Sequence, residues 1–376
     1  MRVVHIIKAV GIAGAERHLL ILFAGLVSRG VDVHLLLLVE PDKPLDDYMS
    51  QMEALGVHVQ RVVIQKGLDR QIIPTLRQHL RTLKPELVHT HLVHADTFGS
   101  LAAKWAGVKI VITSRHNEDD FRHRSPFKIA NRILWRNFNA VIAISEATNL
   151  FTRQVEQAPP EKITTIRYGL PRPTTQVDHE GAARSLRQQF NLPENSPVVG
   201  MIGRLISQKG MSYGLQGFAS ISLRFPDARL LIVGDGVLRQ DLEAEARKLG
   251  IHKQVVFAGW RTDVPQLMAG LDIFLMPSLW EGFGLVLLEA MAVAVPSIAS
   301  QVSAIPEIIV DGETGLLVEP ESAPAIANAL TTLLSDPNLR RHMGMLALER
   351  LETHFDAERM VDATYQLYQQ LLGSAS

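Results

Sequence analysis

The chain has 376 residues, of which 47% are hydrophobic and 20% are charged, and its formal net charge is −1. This length exceeds one typical domain and predicts about two domains in an ordinary soluble globular protein. Because the chain contains no cysteine, disulfides, thiolate catalysis and zinc–thiolate sites are excluded. No segment reaches the roughly 18 uninterrupted apolar residues of a membrane span. The first residues are typical of a strand and a helix rather than a signal peptide, which predicts a cytoplasmic protein.

The small net charge conceals an asymmetry between the two halves. Residues 1–170 carry 22 Lys and Arg against 16 Asp and Glu, whereas residues 171–376 carry 16 against 23. A basic first half could attract an anionic partner, such as a phosphorylated acceptor or an acidic lipid surface. Uneven surface charge without a function explains the counts equally well.

Short β-branched segments alternate with helical patterns along the chain, beginning with RVVHIIKAV and VDVHLLLLV. Several segments are apolar on both faces, which is typical of parallel strands covered by helices. A polar stretch around Pro171 and Pro173 interrupts the rhythm, which then resumes. The sequence therefore predicts two Rossmann-like, doubly wound α/β domains that face each other across a cleft, with ligands beyond the carboxyl ends of the strands.

The predicted boundaries follow from that interruption. They are an N-terminal domain at 1–170, a linker at 171–182, a C-terminal domain at 183–355 and a last helix at 356–376. The last helix is amphipathic and needs a surface to cover, so we expect it to pack back on the first domain.

The first predicted strand runs into GIAGAERHLL, where Gly11 and Gly14 flank the start of a helix. A glycine turn at a helix N-terminus lets backbone amides approach a phosphate or a sugar ring. The pattern is not G-x-G-x-x-G, and glycines are common in turns after a first strand. A purely structural role for these glycines therefore stays open.

Histidines are concentrated in the first half of the chain. The segment VHTHLVHA places His89, His91 and His94 at a strand end, and His116 follows the next strand. Alternation sends His89 and His91 to the same strand face, which suggests a metal site, but no outlying ligand completes one. We therefore expect no metal here and interpret His116 as a residue that contacts the substrate.

The basic segment 121–138, FRHRSPFKIANRILWRNF, interleaves arginine and lysine with apolar side chains at helical spacing. Such a helix could lie on an anionic membrane surface, which would make the protein peripheral to the inner membrane face. An amphipathic helix that covers the sheet is the simpler interpretation. Both are kept as alternatives.

In the second half, GRLISQKG follows a strand and places Arg204 and Lys209 in a strand-to-helix loop. Two cations at the carboxyl end of a strand can take the charge of a diphosphate, Arg through bidentate hydrogen bonds and Lys as a point charge. A solvated basic loop without a ligand is the alternative.

The segment WEGFGLVLLEAM leaves another strand for a helix through a glycine-rich turn. Amides near Gly284 and Leu285 would be the unpaired donors of the helix start, which attract anions. Glu281 and Glu289 would repel a diphosphate, so we expect them to accept hydrogen bonds from neutral hydroxyls. Helix capping for one and exposure for the other is the alternative.

Together these stretches resemble the retaining glycosyltransferases of family 4, which have the GT-B fold. The similarity covers most of the chain, and its most specific element is the pair of glutamates separated by seven residues in EGFGLVLLEAMA. The other stretches that carry it include GIAGAERHLL, VHTHLVHA, TSRHN, AVIAISEAT, VVGMIGRLISQKG, LLIVGDGVLRQDLE, VFAGWRTDVP and IPEIIVDGETGLLVEP.

The resemblance implies roles for individual residues. Arg204 and Lys209 would stabilise the donor diphosphate, Glu281 would contact the transferred sugar, and His116 would contact the sugar or the acceptor. These four would form the catalytic group. Further donor contacts are implied for Gly14, Gly234, Arg261, Phe283, Gly284, Leu285 and Glu289.

The resemblance also implies the reaction. A sugar would pass from a UDP- or GDP-sugar to an acceptor hydroxyl with retention of anomeric configuration, in glycolipid, polysaccharide or other glycoconjugate synthesis. The N-terminal domain would bind the acceptor, which is lipid-linked or anionic in one interpretation, and the C-terminal domain the donor. No cofactor and no metal would be required, and no nucleic acid would be a partner.

Two positions depart from the family pattern. Glycines usual in the family are replaced at Ala294 or Val295 and at Ala304, and the methyl group of Ala304 could narrow the donor-sugar pocket.

Two other functions are alternatives. A nucleotide-sugar epimerase of the same fold would convert the donor without an acceptor. A non-catalytic sugar-nucleotide-binding subunit is disfavoured because four residues of the family motifs are intact, namely Arg204, Lys209, Glu281 and Glu289.

Overall fold

The computed structural model describes residues 1–65, 69, 71–118, 131–173 and 178–374. The chain forms two compact units, the first made of Met1–Pro171 with Asp356–Ser376 and the second of Arg172–Phe355. Strands and helices are numbered in chain order.

The first unit is built on a parallel sheet. Its strands are β1 (Arg2–Lys8), β2 (Asp32–Val39), β3 (His58–Val63), β4 (Leu87–His91), β5 (Ile110–Arg115), β6 (Ala140–Ala143) and β7 (Ile163–Thr165). In the described part of the chain they run in the order β3-β2-β1-β4-β5-β6-β7, with every pair parallel. Strands β1 and β2 are buried along nearly their whole length because helices cover both faces of the sheet.

Helices connect these strands. They are α1 (Gly14–Ser28), α2 (Asp46–Ala54), α3 (Ile72–Leu83), α4 (Leu92–His94), α5 (Ser100–Ala106), α6 (Glu146–Gln154) and, from the end of the chain, α15 (Ala357–Ser374). Helix α15 packs on α1 at Gly25, where a β-carbon would lie 2.5 Å from a methyl group of Val361. Glycine at this position therefore lets the two helices approach closely.

The second unit repeats the plan. Its strands are β8 (Val198–Ile202), β9 (Arg229–Val233), β10 (Val255–Gly259), β11 (Ile273–Met276), β12 (Ser297–Ser300) and β13 (Gly315–Val318). They form a parallel sheet in the order β10-β9-β8-β11-β12-β13. The helices are α7 (His179–Gln189), α8 (Met211–Ile221), α9 (Arg239–Lys248), α10 (Val264–Ala269), α11 (Leu285–Ala292), α12 (Ile305–Ile308), α13 (Ala323–Ser335) and α14 (Pro337–His354). Two Rossmann-like parallel sheets flanked by helices are the predicted fold class.

The predicted linker at 171–182 includes the start of a helix. Helix α7 begins at His179, because the Asp178 side chain accepts a hydrogen bond from the amide of Gly181 at 2.9 Å and caps the first turn. Residues 174–177 lie outside the described residues. The irregular backbone that the prolines predict is therefore shorter than the predicted linker.

The segment 121–138 is described only from residue 131. In that part Trp135 and Phe138 are buried in the core of the first unit, whereas Arg132, Ile133 and Arg136 are exposed. The rest of the proposed membrane-facing segment lies outside the described residues. Among the described helices, none is both long enough and apolar enough to cross a bilayer.

Helix α11 ends in a turn that normally requires glycine. The amide of Ala294 donates to Met291, and the amide of Val295 donates back to Ala290, so Ala294 occupies the left-handed position of a Schellman motif with φ +48°. The corresponding residue after α1 is Gly30. Ala294 thus stands where the family resemblance implies a glycine.

We expect Ala294→Gly to raise the free energy of unfolding by about 1 kcal/mol, because it relieves the left-handed strain on an L-residue. Urea unfolding of the variant and the wild type measures this difference. Ala292→Gly, inside the last turn of the same helix, is the control and should lower stability. A loss of stability in Ala294→Gly would contradict the strain.

Candidate functional site

The second unit's sheet has a switch point at β8. Strand β8 lies between β9 and β11, so the chain leaves it in one direction and returns on its other side. Parallel sheets of this kind bind ligands at the carboxyl ends of the strands beside such a point. The loop 203–210 after β8 occupies this position and contains Arg204 and Lys209.

Close backbone contacts fix this loop against the loop after β9. Gly234 has φ +134°, and a β-carbon there would lie 1.9 Å from the carbonyl oxygen of Gly203. The amide of Leu205 donates to Asp235 at 2.9 Å. These contacts hold the backbone of Arg204, whose side chain is exposed, in one position. Gly234 is therefore a packing residue of the site in this structure.

The same loop is tied to the segment after β11. The amide of Leu279 donates to the carbonyl of Gln208 at 2.8 Å, and the Gln208 side chain donates to the carbonyl of Trp280 at 3.0 Å. Gly210 has φ +59°, and a β-carbon there would lie 1.9 Å from the carbonyl oxygen of Pro277. Two stretches about 70 residues apart in sequence thus form one rigid surface.

Lys209 and Glu281 meet on this surface. The Lys209 ammonium donates to Oε1 of Glu281 at 2.5 Å, and the two side chains are 17% and 8% exposed. The hydroxyl of Ser278 donates to the same oxygen at 2.7 Å, and the amide of Glu281 donates to Oγ of Ser303 at 3.3 Å. The Glu281 carboxylate is thus held through Oε1 by Lys209 and Ser278, and Lys209 balances its charge.

The turn 282–284 brings the start of α11 beside Glu281. Gly284 adopts φ +99°, and the first helical hydrogen bond runs from Leu287 to Gly284 at 2.8 Å. The amides of the first turn therefore lie at the positive end of the helix dipole, close in sequence to Glu281. The Phe283 ring is buried, 6.1 Å from the ring of Phe355, which leaves the Phe283 backbone as the candidate donor contact.

The remaining two donor residues predicted in this unit are Glu289 and Arg261. Glu289 is half-buried on α11, one helical turn after Leu285 and on the same face. The Arg261 guanidinium binds both carboxylate oxygens of Asp263 at 2.8 and 2.6 Å, and this hydrogen-bonded pairing lowers the pKa of Asp263 to about 2. The guanidinium of Arg261 is thus engaged locally, which leaves its backbone as the candidate contact.

In the first unit, Gly14 is the exposed first residue of α1. The Glu16 carboxylate accepts a hydrogen bond from the amide of Ala13 at 3.0 Å, and its backbone carbonyl accepts one from Tyr48. The helix start is therefore held in place by a negatively charged side chain. This charge favours a neutral, hydroxyl-bearing ligand over an anion at this helix start, where the Ala13 amide is already occupied.

His116 is buried at 6% exposure, and both of its ring nitrogens have partners. Nε2 lies 3.0 Å from Nδ1 of His91, and Nδ1 contacts the hydroxyl of Tyr168. Burial lowers the pKa of His116 to about 4, although Asp96 acts in the opposite direction. His116 is therefore neutral at pH 7, and His91 and Tyr168 fix its ring orientation.

The histidines form a buried chain that the sequence analysis did not anticipate. Strand β1 pairs with β4 so that His5 lies opposite His89, and Nδ1 of His5 is 2.9 Å from Nε2 of His91. His89 contacts Tyr368 and Ser114 through its two ring nitrogens. His5 is the additional ligand that the sequence analysis lacked for a metal at His89 and His91. Hydrogen bonds already occupy both nitrogens of His89 and of His91.

We expect these buried histidines to make folding pH-dependent. Burial lowers the pKa of His116 to about 4 and that of His5 to about 3, from 6.5 in the unfolded chain. Below pH 6.5 the unfolded state binds more protons, so the free energy of unfolding should fall as the pH drops from 6.5 toward 4. Each such histidine contributes up to about 1.4 kcal/mol per pH unit.

Urea unfolding at pH 7.5, 6.5 and 5.5 measures this dependence. His5→Asn should make the slope shallower, whereas His252→Gln, which changes an exposed histidine, should leave it unchanged. Equal stability at all three pH values would contradict a set of neutral buried histidines.

Comparisons with known proteins agree with this architecture. The family model described as Glycosyltransferase Family 4 matches residues 12–171, and the one described as Glycosyl transferases group 1 matches residues 183–350. Among curated relatives, N-acetyl-alpha-D-glucosaminyl L-malate synthase of Bacillus anthracis is 30% identical, over 76% of this chain and 75% of that protein. The UDP-Gal:alpha-D-GlcNAc-diphosphoundecaprenol alpha-1,3-galactosyltransferase of Escherichia coli is 27% identical, over 98% of this chain and 96% of its own.

A solved structure extends the similarity to the fold. HepE of Anabaena, solved in complex with UDP, superposes with a TM-score of 0.83 at 22% identity, covering 98% of this chain and 100% of its own. The fold is that of the GT-B glycosyltransferases. The chain belongs to glycosyltransferase family 4. The predicted family and fold class are thereby confirmed.

Proposed function

We propose that this glycosyltransferase moves a sugar from a nucleotide-diphosphate donor to an acceptor hydroxyl with retention of configuration and without a metal. The observation that carries the proposal is the contact of Lys209 with Glu281 beside the start of α11. An ammonium group, a buried carboxylate and helix amides lie together at the switch point of one sheet. This combination can bind both the anionic and the neutral parts of a sugar nucleotide.

Lys209 and Arg204 are proposed to hold the diphosphate. A lysine ammonium has three N–H donors, and one of them is directed at Glu281, so the others can reach phosphate oxygens. The exposed guanidinium of Arg204 adds a bidentate donor. When the glycosidic bond breaks, negative charge grows on the β-phosphate, where fixed cations and the α11 amides stabilise it. These groups take the role that a divalent ion has elsewhere.

Glu281 is proposed to bind hydroxyls of the transferred sugar. Its Oε1 already accepts hydrogen bonds from Lys209 and Ser278, which lowers its nucleophilicity. A covalent glycosyl-enzyme intermediate on this residue is therefore disfavoured. We propose attack of the acceptor hydroxyl on the same face as the departing diphosphate, with a phosphate oxygen as the base.

The remaining predicted contacts complete the donor site in this proposal. Glu289 would accept hydrogen bonds from the ribose, and the Arg261 backbone would meet the base. Gly234, Leu285 and the backbone of the 282–284 turn would approach the donor, and Gly14 and His116 would contact the sugar or the acceptor. His116 is neutral and so carries no charge for a phosphate, and a substrate hydroxyl would have to replace His91 or Tyr168 as its hydrogen-bond partner.

The donor base is tested by thermal shift. The E. coli relative is named for UDP-Gal and HepE was solved with UDP, so UDP and UDP-sugars are tested first and GDP-sugars second. A ligand at one hundred times its Kd stabilises the folded state by about 2.7 kcal/mol. We expect the nucleotides of one base, uridine or guanosine, to raise the Tm of the wild type in the presence of EDTA. The Arg204→Ala variant should lose most of this increase in Tm.

Arg247→Ala, which removes an exposed arginine from the same unit, is the matched control and should keep the full shift. No shift with either nucleotide, or an equal shift in Arg204→Ala and wild type, would contradict the proposed diphosphate site.

The acceptor is proposed to be a lipid-linked or anionic glycoconjugate precursor, in keeping with the basic first half of the chain. The proposed location is the cytoplasm, with contact to the inner membrane face through the 121–138 segment. Cosedimentation with anionic vesicles but not with neutral vesicles would support this contact, and cosedimentation with neither would contradict it.

A nucleotide-sugar epimerase would instead convert the donor without any acceptor, and a non-catalytic subunit would bind the donor unchanged.

A further inference from the structure

A second group of ligating side chains lies at the opposite edge of the first unit's sheet, where strands begin. Asp32 and His34 are the first and third residues of β2, and His58 is the first residue of β3. His34 is paired with His58 across the two strands. Because side chains alternate along a strand, Asp32 lies on the same face as His34. The three side chains therefore converge on one spot.

Their spacing matches a tetrahedral metal site. Oδ1 of Asp32 lies 3.0 Å from Nε2 of His34 and 3.7 Å from Nε2 of His58. With metal–ligand distances of about 2.0–2.1 Å, neighbouring ligands of a tetrahedral Zn²⁺ lie about 3.3 Å apart. The three candidate ligand atoms are all within 4.8 Å of one another. No large rearrangement is needed to close them on one ion.

His34 supplies an independent indication. It is only 9% exposed, yet neither ring nitrogen has a hydrogen-bond partner in the described part of the chain. Nε2 is close to Asp32, but the contact lacks hydrogen-bond geometry. Buried polar atoms are nearly always paired, so an unpaired imidazole directed at a carboxylate and a second imidazole calls for a ligand.

Asp32 is already held in a ligating orientation. Its Oδ2 accepts a hydrogen bond from Nε of Arg2 at 2.6 Å, and Arg2 also donates to the carbonyl of Leu83 at 2.7 Å. The Arg2 contact leaves Oδ1 directed at the two histidines. Outer hydrogen bonds of this kind orient ligands and raise metal affinity.

We propose that Asp32, His34 and His58 form a Zn²⁺ site with water as the fourth ligand. Two imidazoles and one carboxylate suit zinc better than the oxygen-binding ions Mg²⁺ and Ca²⁺. The ion would join β2 to the edge strand β3 and stabilise the folded first unit. It lies at the amino ends of the strands, so it takes no part in the proposed sugar transfer.

Zinc binding by untagged full-length protein, in competition with a chromophoric chelator, tests the proposal. We expect one Zn²⁺ per chain in the wild type and at least about hundredfold weaker binding in His58→Gln, with Asp32→Asn as a second variant. His58 has a side chain that is 66% exposed, so this replacement should leave the fold intact. His252→Gln is the matched control and should bind like wild type.

Zn²⁺ should also raise Tm of the wild type and of His252→Gln but not of His58→Gln, and Co²⁺ should give the visible absorption of a tetrahedral complex. Equal zinc affinity in wild type and His58→Gln, or no zinc-dependent change in Tm, would overturn the site. Donor turnover should be the same in all three proteins, so failure here leaves the sugar-transfer proposal untouched.

Discussion

Replacing Lys209 by alanine should lower donor turnover by roughly 10²- to 10³-fold, the usual effect of losing one preorganised donor to a developing charge. The change removes the ammonium that lies 2.5 Å from Glu281 and leaves that carboxylate buried without its cation. In the proposed complex, the leaving diphosphate would then face the uncompensated negative charge of Glu281. Release of nucleoside diphosphate, measured under saturating donor, gives the change in kcat.

Lys253→Ala is the matched control, since it removes an exposed lysine from the same unit and should retain full turnover. Unfolding of Lys209→Ala is measured alongside, because an uncompensated Glu281 can also reduce stability. Lys209→Ala/Glu281→Gln should recover the lost stability but not the activity. Equal turnover in wild type and Lys209→Ala would contradict a catalytic role for the pair.

The second large effect is expected at Arg115, in the first unit. Arg115 is 2% exposed and donates to Glu156 at 3.0 Å and to Asp96, while its guanidinium lies 4.7 Å from the ring centre of Trp135. Burial opposes its charged form, but Asp96 and Glu156 raise the pKa of Arg115. Arg115→Met leaves two buried carboxylates without their cation, and we expect it to cost about 3–5 kcal/mol of stability.

Urea unfolding at pH 7.5 measures this loss. Arg136→Met, an exposed arginine of the same unit, is the control and should stay within about 0.5 kcal/mol of wild type. Arg115→Met/Glu156→Gln should recover part of the loss, because one uncompensated charge is removed. A loss below about 1 kcal/mol in Arg115→Met would show that the carboxylates find other partners or neutralise at little cost.

The fold was predictable because its signals are local. Apolar runs such as RVVHIIKAV and ARLLIVGDG are typical of parallel strands that are buried on both faces. They contain β1 and β9. The start of α7 inside the predicted linker was missed, although Asp178 precedes the helix with the side chain of a cap. The nearby prolines predict irregular backbone, and this prediction was extended too far along the chain, past the capping residue Asp178.

Residues of the candidate site could be named from sequence motifs, but their contacts with one another could not. Lys209 and Glu281 were identified separately, whereas their contact depends on β8 and β11 being neighbours in the sheet. The Arg261 side chain is held by Asp263 two residues later, a local pairing that the sequence displayed. The other contacts depend on which strands are neighbours and on their register, and no local sequence pattern specifies either.

The histidines illustrate the same limit. His89 and His91 were visible as neighbours, but His5 joins them only because β1 inserts between β2 and β4. His34 and His58 likewise meet only through the register of β2 and β3. Groups assembled across strands carry no spacing rule in the sequence, so the structure was needed to find them.

Metal-independent transfer with retention is tested by the anomer of the sugar that is set free when water replaces the acceptor hydroxyl. With the α-linked UDP- or GDP-sugar selected by thermal shift, proton NMR in EDTA should show the α-anomer first, before mutarotation mixes the two forms. Initial release of the β-anomer would show inversion, and release only after a divalent metal is restored would show that the proposed cation site is not sufficient.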